Sequence, residues 1–438
     1  MISRQRRREI IDALRRGTVP QRGLDAFAVG TDRFAAAFDD ELATVAAGGA
    51  GFKAVRGEYG SGKTFVVRWL AERARTQGFA TAEVQISEGE TPLHHLEAVY
   101  RRLCERLTTA DTAGGALRAV VDSWFYALHE DVVAARAAPP GDAKAVLAAT
   151  DVLAEQRLGA VAARAPALAA VLRGYRRALA DGHTARAEGL LAWLGGQPHV
   201  AASVKRAAGI RGDLDHDAAL AFLAGLLTIL RGAGYAGLVF VLDEVETLQR
   251  VRSDARDRAL NALRQLIDEV DQGRFPGLYL VITGTPAFFD GPQGARRLAP
   301  LAQRLHTDFT TDARFDSPRA VQLRLAGFTV EGLGEIGRRT RDLYAESAAD
   351  PIRIRSSCDD DYVALLAKAV TGDLGGRVGV APRVFLKKLV GDILDRVDQF
   401  ADFNPRRDYR LTIVDSELTA VERNARAAAS VDEIDLDL

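Results

Sequence analysis

The sequence predicts an α/β fold: a parallel sheet with an additional strand, interrupted by a large helical insertion and followed by a C-terminal helical lid. Three observations predict it. "RGEYGSGKTF" (56–65) crowds Gly57, Gly60 and Gly62 together directly ahead of Lys63 and Thr64. "GLVFVLDEVETLQ" (237–249) and "GLYLVITGTP" (277–286) are continuous apolar runs that end in polar residues, the pattern of strands buried on both faces of a parallel sheet. The long stretches between and after these segments show only helical periodicity.

The spacing of the first segment is G-x-x-x-x-G-K-T. A phosphate needs several backbone N–H groups aimed at one spot, and glycines let the chain curl that tightly. A lysine beside them reaches the outer phosphates, and a threonine hydroxyl can ligate Mg²⁺. The motif needs a strand before it and a helix after it. "GFKAV" (51–55) reads as a short buried strand. "KTFVVRWLAERARTQ" (63–77) places Val66, Val67, Trp69, Leu70 and Ala74 on an amphipathic helix, whose N-terminus would point at the phosphate. The predicted contact set is Gly57, Glu58, Tyr59, Gly60, Ser61, Gly62, Lys63, Thr64 and Phe65.

The second segment ends in Asp243 and Glu244. Carboxylates at the C-terminal end of such a strand lie where open α/β sheets bind ligands. Asp243, with Thr64, is expected in the Mg²⁺ shell, directly or through water, and Glu244 is expected to orient and activate the attacking water. The third segment offers Thr283 and Thr285 as a polar group between the carboxylates and the γ-phosphate; Thr285 is carried forward as the candidate, with the choice between the two left open. "TAEVQIS" (81–87) supplies one more strand, and "TDFTTDARFD" (307–316) is expected to supply the last.

At 438 residues the chain should hold more than one domain. The expected organisation is an N-terminal part of the sheet domain at 1–92, a helical insertion at 93–230, the rest of the sheet domain at 231–318, a helical lid at 319–425 and an acidic tail at 426–438. The net charge of −1 excludes a global nucleic-acid footprint but not a local basic patch. The lysines are Lys53, Lys63, Lys144, Lys205, Lys368, Lys387 and Lys388, so a lysine in the glycine loop stands out. Cys104 and Cys358 make no framework and suggest no metal site. The basic N-terminus lacks a signal-type apolar core, and no apolar run is long enough to span a membrane. A cytoplasmic protein is expected.

Further along, residues 3–15 read as a helix, 17–34 as a loop and 32–47 as a second helix. Breaks in the helical stretch fall at 112–115, 138–142 and 195–198. Trp124, Phe125, Tyr126 and Trp193 are expected to fill its core. Lys205, Arg206 and Arg211 flank a glycine-rich turn and read as a solvated helix end, with contact to nucleic acid or a phosphate as the alternative. Arg296, Arg297 and Arg304 follow the third segment, and Pro382 with Arg383 opens a helix, where proline is tolerated.

Glycine loop, D-E strand, polar-ended strand and a helical region with P-R together resemble the AAA+ ATPases, particularly the branch related to origin-recognition and replication-initiator ATPases. "GTVPQRGLDAFAVG", "VAASVKRAAGIRGDLDHD", "VLDEVETLQRVR", "NALRQLIDEVDQGRFPGLYLVITGTPAFFDGPQG" and "GVAPRVFLKKLVGDILDRVDQF" are similar to the ATP-binding proteins of BREX-type phage-defence systems, over nearly the whole chain except the acidic tail. The resemblance implies ATP and Mg²⁺ as cofactors, ATPase activity, and other defence-system proteins as partners; DNA and a second copy of the chain stay open. It also implies an adenine wall among Gly23, Leu24, Val29 and Gly30, a lid arginine at Arg383, and an arginine given to a neighbour's γ-phosphate, with Arg304 the first choice. A threonine where the commonest AAA+ form has asparagine is a departure from that pattern.

Overall fold

The computed structural model describes residues 2–137, 142–162, 165–373, 381–418 and 423. The expected acidic tail and most of the predicted break at 138–142 lie outside the described residues.

Five strands form one parallel sheet: β1 (Gly51–Arg56), β2 (Ala80–Gln85), β3 (Leu238–Asp243), β4 (Leu278–Gly284) and β5 (Gln322–Arg324). Their order is β2-β3-β4-β1-β5, so β4 is inserted between the strand that leads into the glycine loop and the acidic strand. β3 and β4 are buried at every residue, which is why they read as unbroken apolar runs. Register aligns the C-terminal ends: Gln85 lies opposite Asp243, and Arg56 opposite Gly284.

Side chains alternate across the sheet, and the two faces carry separate cores. On one face Ala54, Val84, Phe240, Leu242, Leu280 and Ile282 pack beneath helices from the long β2–β3 connection. These are α4 (Leu96–Arg106), α5 (Leu117–Ala134), α6 (Ala143–Ala162), α7 (Pro166–Ala180), α8 (Thr184–Leu194), α9 (Ala202–Ala207) and α10 (His216–Gly232), joined on that face by α11 (Ser253–Asp271). On the other face Val55, Val239, Val241 and Val281 meet α2 (Asp32–Ala46) and α3 (Lys63–Thr76), and α1 (Arg4–Arg15) joins the same core from the side of the C-terminal helices. The same cluster runs on into α14 (Val330–Ala345), α15 (Pro351–Ser357), α16 (Asp360–Asp373), α17 (Ala381–Lys387) and a π-helical segment at Lys388–Leu394.

Two expectations need correction. Residues 307–316 are not a strand; they are irregular, with one 3₁₀ turn at Ala313–Phe315, and β5 lies later. The reason is local. The apolar residues of "TDFTTDARFD", Phe309, Ala313 and Phe315, are scattered among seven polar ones, and the stretch wraps the end of β5 instead: the Arg324 guanidinium pairs with Asp316 at 2.8 Å and lies 4.8 Å over the Phe309 ring. Of the aromatics assigned to the helical core, Trp124 and Trp193 are buried but Tyr126 is exposed. Lys205 pairs with Asp213 at 3.0 Å, while Arg206 and Arg211 face solvent.

Candidate nucleotide site

The loop leaves β1 at Arg56 and enters α3 at Lys63, with Gly62 as the residue before the helix. Gly60 and Gly62 have φ of 76° and 92°, a region glycine enters without a Cβ penalty. Gly57 is required for space: a Cβ there would lie 2.2 Å from Ser61 Oγ. Its N–H donates to Gly284 O at 3.1 Å, which ties the loop to the end of β4.

Lys63 is buried. Its amino group donates to Gly57 O at 2.9 Å and Glu58 O at 3.2 Å, and lies 5.2 Å over the Tyr59 ring. Burial lowers its pKa, and the facing carboxylates Glu246 and Asp243 oppose that shift. Thr64 Oγ1 donates to Asp243 Oδ2 at 3.1 Å. Burial raises the Asp243 pKa, and the Thr283 hydroxyl, which donates to Asp243 Oδ1, works against it.

Glu244 sits at φ 60°, unusual for a residue with a side chain and a sign of a position held by its surroundings. Its N–H donates to Thr283 Oγ1 at 3.0 Å and Asp243 Oδ1 at 3.1 Å. Its carboxylate accepts from Gln85 Nε2 at 2.8 Å, as the β2–β3 register allows. The chain then turns through a 3₁₀ segment at Val245–Gln249. That turn buries Glu246, with its side chain 3% exposed and 3.8 Å from Lys63 Nζ. Neither Glu246 oxygen has a hydrogen-bond partner among the described residues, and burial raises its pKa.

A cleft of about 280 Å³ opens beside these groups. Its polar end is Tyr59, Gly60, Gly62, Lys63, Thr64, Glu244 and Glu246, and Phe65 also lines it. Its apolar end is built by Val19, Pro20, Phe27, Val29, Phe328, Ile336 and Leu386, with Pro382 and Arg383 alongside. Gly57, Glu58 and Ser61 belong to the loop but do not line the cleft.

The structure brings together Lys63, Thr64, Asp243 and Glu244 as expected of the motif. It brings Thr283, not Thr285, to Asp243; Thr285 is buried one position before the short helix Pro286–Asp290. The two differ because β4 ends at Gly284, so that Thr283 is still a strand residue whereas Thr285 caps the helix that follows. Of the expected adenine wall, Val29 lines the cleft. Leu24 is in the core, Gly23 donates its N–H to Glu72 Oε1 at 2.6 Å, and Gly30 is a turn residue at φ 75°. Arg383 lies at the cleft mouth against Gly17 and donates to Glu417 O at 2.7 Å. Arg304 is away from the cleft, paired with Asp268, and Arg297 is paired with Asp257. Gln85 and Glu246 were not anticipated. Nothing in "TAEVQIS" marks Gln85, and only the 3₁₀ turn folds Glu246 back on Lys63.

Among the described residues no group of three or more His, Cys, Asp or Glu side chains is placed to hold a metal. The Thr64–Asp243 pair nevertheless fits Mg²⁺, which binds through one or two protein oxygens and completes its shell with phosphate and water.

A family model for the BREX system ATP-binding protein BrxC/D matches residues 2–413. The chain belongs to this BREX ATP-binding family. No curated protein and no solved structure matches it. Family membership points to an ATP-binding component of a BREX phage-defence system. No helix among the described residues is long and apolar enough to cross a membrane.

Proposed function

We propose that the protein is a Mg²⁺-dependent ATPase that couples its nucleotide cycle to contacts with other components of the defence system. The observation that carries this reading is the 3.1 Å contact between Thr64 on the loop helix and Asp243 on the acidic strand: two oxygens from segments 179 residues apart converge beside a buried lysine. Bound Mg²⁺ would supply positive charge to the phosphate oxygens, held by Thr64 and, directly or through water, Asp243. Lys63 exchanges the Gly57 and Glu58 carbonyls for phosphate oxygens. Glu244 orients and activates water, and Thr283 holds Asp243 and the Glu244 backbone in place. Catalysis of this kind is mostly positioning and charge stabilisation. The apolar end of the cleft, with Val29 and Phe328, takes the base, and Arg383 closes the site from α17.

The test is calorimetric. Lys63→Ala removes the cation from the glycine cradle and should abolish measurable ATP binding. Unchanged affinity removes the loop from the site.

One observation favours slow turnover. Lys63 is engaged by its own loop and Glu244 by Gln85. Both contacts must break before water attacks the γ-phosphate, which suits a switch that binds ATP and hydrolyses it rarely. Single-turnover hydrolysis separates a slow switch from a fast motor.

A further inference from the structure

A cavity of about 850 Å³ opens along the free edge of the sheet, between β2, α3, α4 and the segment after α1. It shares no lining residue with the nucleotide cleft. Five arginines line it against two glutamates. α3 contributes Arg68 and Arg75, two turns apart on one face with Ala71 between them. α4 contributes Arg102 and Arg106, one turn apart, a spacing that puts both on one face. The segment after α1 adds Arg22.

Two of these charges are already answered. Arg68 is bound by both oxygens of Glu83, and Arg102 by Glu90 at 2.6 Å and Glu105 at 3.0 Å. Arg22, Arg75 and Arg106 have no ion pair among the described residues. Arg75 is half-buried, and its guanidinium donates to Thr81 Oγ1 at 2.8 Å. Burial pushes its pKa down; the Glu72 carboxylate opposes that shift and the charge of Arg22 adds to it. The edge strand contributes donors as well. The amides of Ala80 and Ile86 face β3, and Thr81 is taken by Thr108, so alternation turns the Glu83 and Gln85 amides toward the cavity.

We propose that this cavity is a second anion site, taking a ligand with consecutive phosphate groups on the guanidinium forks of Arg22, Arg75 and Arg106. A planar guanidinium matches a phosphate with two parallel hydrogen bonds. The three stand on three different elements, so one isolated anion does not satisfy them. The volume lies in the range of sites for whole small molecules, roughly 300–1,000 Å³. Among the described residues no aromatic side chain lines it, so it reads charge rather than stacking a base. Short polyphosphates and a polynucleotide backbone share this chemistry. The site is independent of the ATPase reading above.

The test uses the full chain carrying Lys63→Ala, so that phosphate binding at the glycine loop does not contribute. Its affinities for inorganic tripolyphosphate and for a labelled single-stranded oligonucleotide are compared with those of the same chain carrying Arg22→Gln and Arg106→Gln. Both substitutions are outside the hydrophobic cores, and equal melting temperatures confirm an intact fold. The expected result is a loss of at least about tenfold, with the slope of log affinity against log salt flattening by roughly 0.7 per lost contact on the single strand. Loss for the oligonucleotide alone names the polynucleotide as the source; loss for both names the phosphate run itself. Unchanged affinities, or no binding of either probe at low salt before substitution, overturns the proposal. Displacement of both probes by a poly-glutamate peptide at the same concentration as phosphate also overturns it, in favour of an acidic peptide.

Discussion

At the residue scale the site is a set of charges held away from where they would act. Lys63 is satisfied by its own loop, and Glu244 by Gln85. Gln85→Ala should therefore release Glu244 and raise the hydrolysis rate at saturating ATP, whereas Glu244→Gln should bind ATP normally and lose roughly 10²–10⁴-fold in rate, as for a lost general base. Steady-state ATPase assays of the two variants check both; equal rates for Glu244→Gln and parent would remove Glu244 from the mechanism. Glu246 gives a prediction in pH. Its pKa is raised from 4.5 by burial, so the unfolded chain gives up that proton first as pH climbs. Stability therefore falls as pH rises through the range above the ordinary glutamate value. Glu246→Gln removes the titration, so thermal melting followed from pH 4 upward should show a flatter decline than the parent and a higher Tm near neutrality. Lys63, Thr64, Asp243 and Glu244 were legible because loop and strand chemistry each force a residue type at a fixed spacing. Glu246 was not, because its burial beside Lys63 depends on a 3₁₀ turn with no spacing signature. That Thr283 and not Thr285 meets Asp243 depends on β4 stopping at Gly284 and a helix starting at Pro286, a boundary the apolar run does not mark.

At the element scale, the strands that read most clearly were those buried on both faces, β3 and β4. β5 is three residues long and half hidden behind the 307–316 strap, too short for either periodicity to show. The helices after β5 were legible as helices, but not their packing. α14 crosses α16 and α17 so closely that a Cβ on Gly337 would lie 2.6 Å from Val363 Cγ1 and 2.7 Å from Phe385 Cζ. These same helices supply Ile336, Pro382, Arg383 and Leu386 to the cleft. Gly337→Val should force them apart, costing about 1–3 kcal/mol as overpacking does, and should weaken ATP binding without touching the loop. Thermal melting with and without ATP separates the two effects. A variant that melts like the parent would mean that the helices separate there without cost.

At the scale of the whole molecule, the sheet divides two cores, and the nucleotide cleft opens where the second core reaches the C-terminal helices. That arrangement leaves the opposite side, around α13 (Ala299–Arg304) and the 3₁₀ turn Ala295–Arg297, free of any role in its own chain's cleft. The sequence put three arginines here and favoured Arg304 for donation to a neighbour. The ion pairs change the order of candidates. Arg304 is held by Asp268 and Arg297 by Asp257, whereas Arg296 is exposed and makes no ion pair among the described residues. A donated arginine must leave its own surface, and Arg296 gives up least. An arginine supplied in trans can be worth orders of magnitude in rate, so Arg296→Ala alone should lose ATPase activity while keeping ATP affinity. Mixing it with inactive Lys63→Ala tests the geometry. In a head-to-tail assembly each site pairs one chain's loop with its neighbour's arginine, and random equal mixing makes about a quarter of the sites intact. Activity should return to about that fraction of the parent's. No recovery in proven mixed assemblies would place Arg296 within its own chain's chemistry or its structure. A protein that stays monomeric with ATP at every concentration would end the trans reading and leave Arg383 to stabilise the charge.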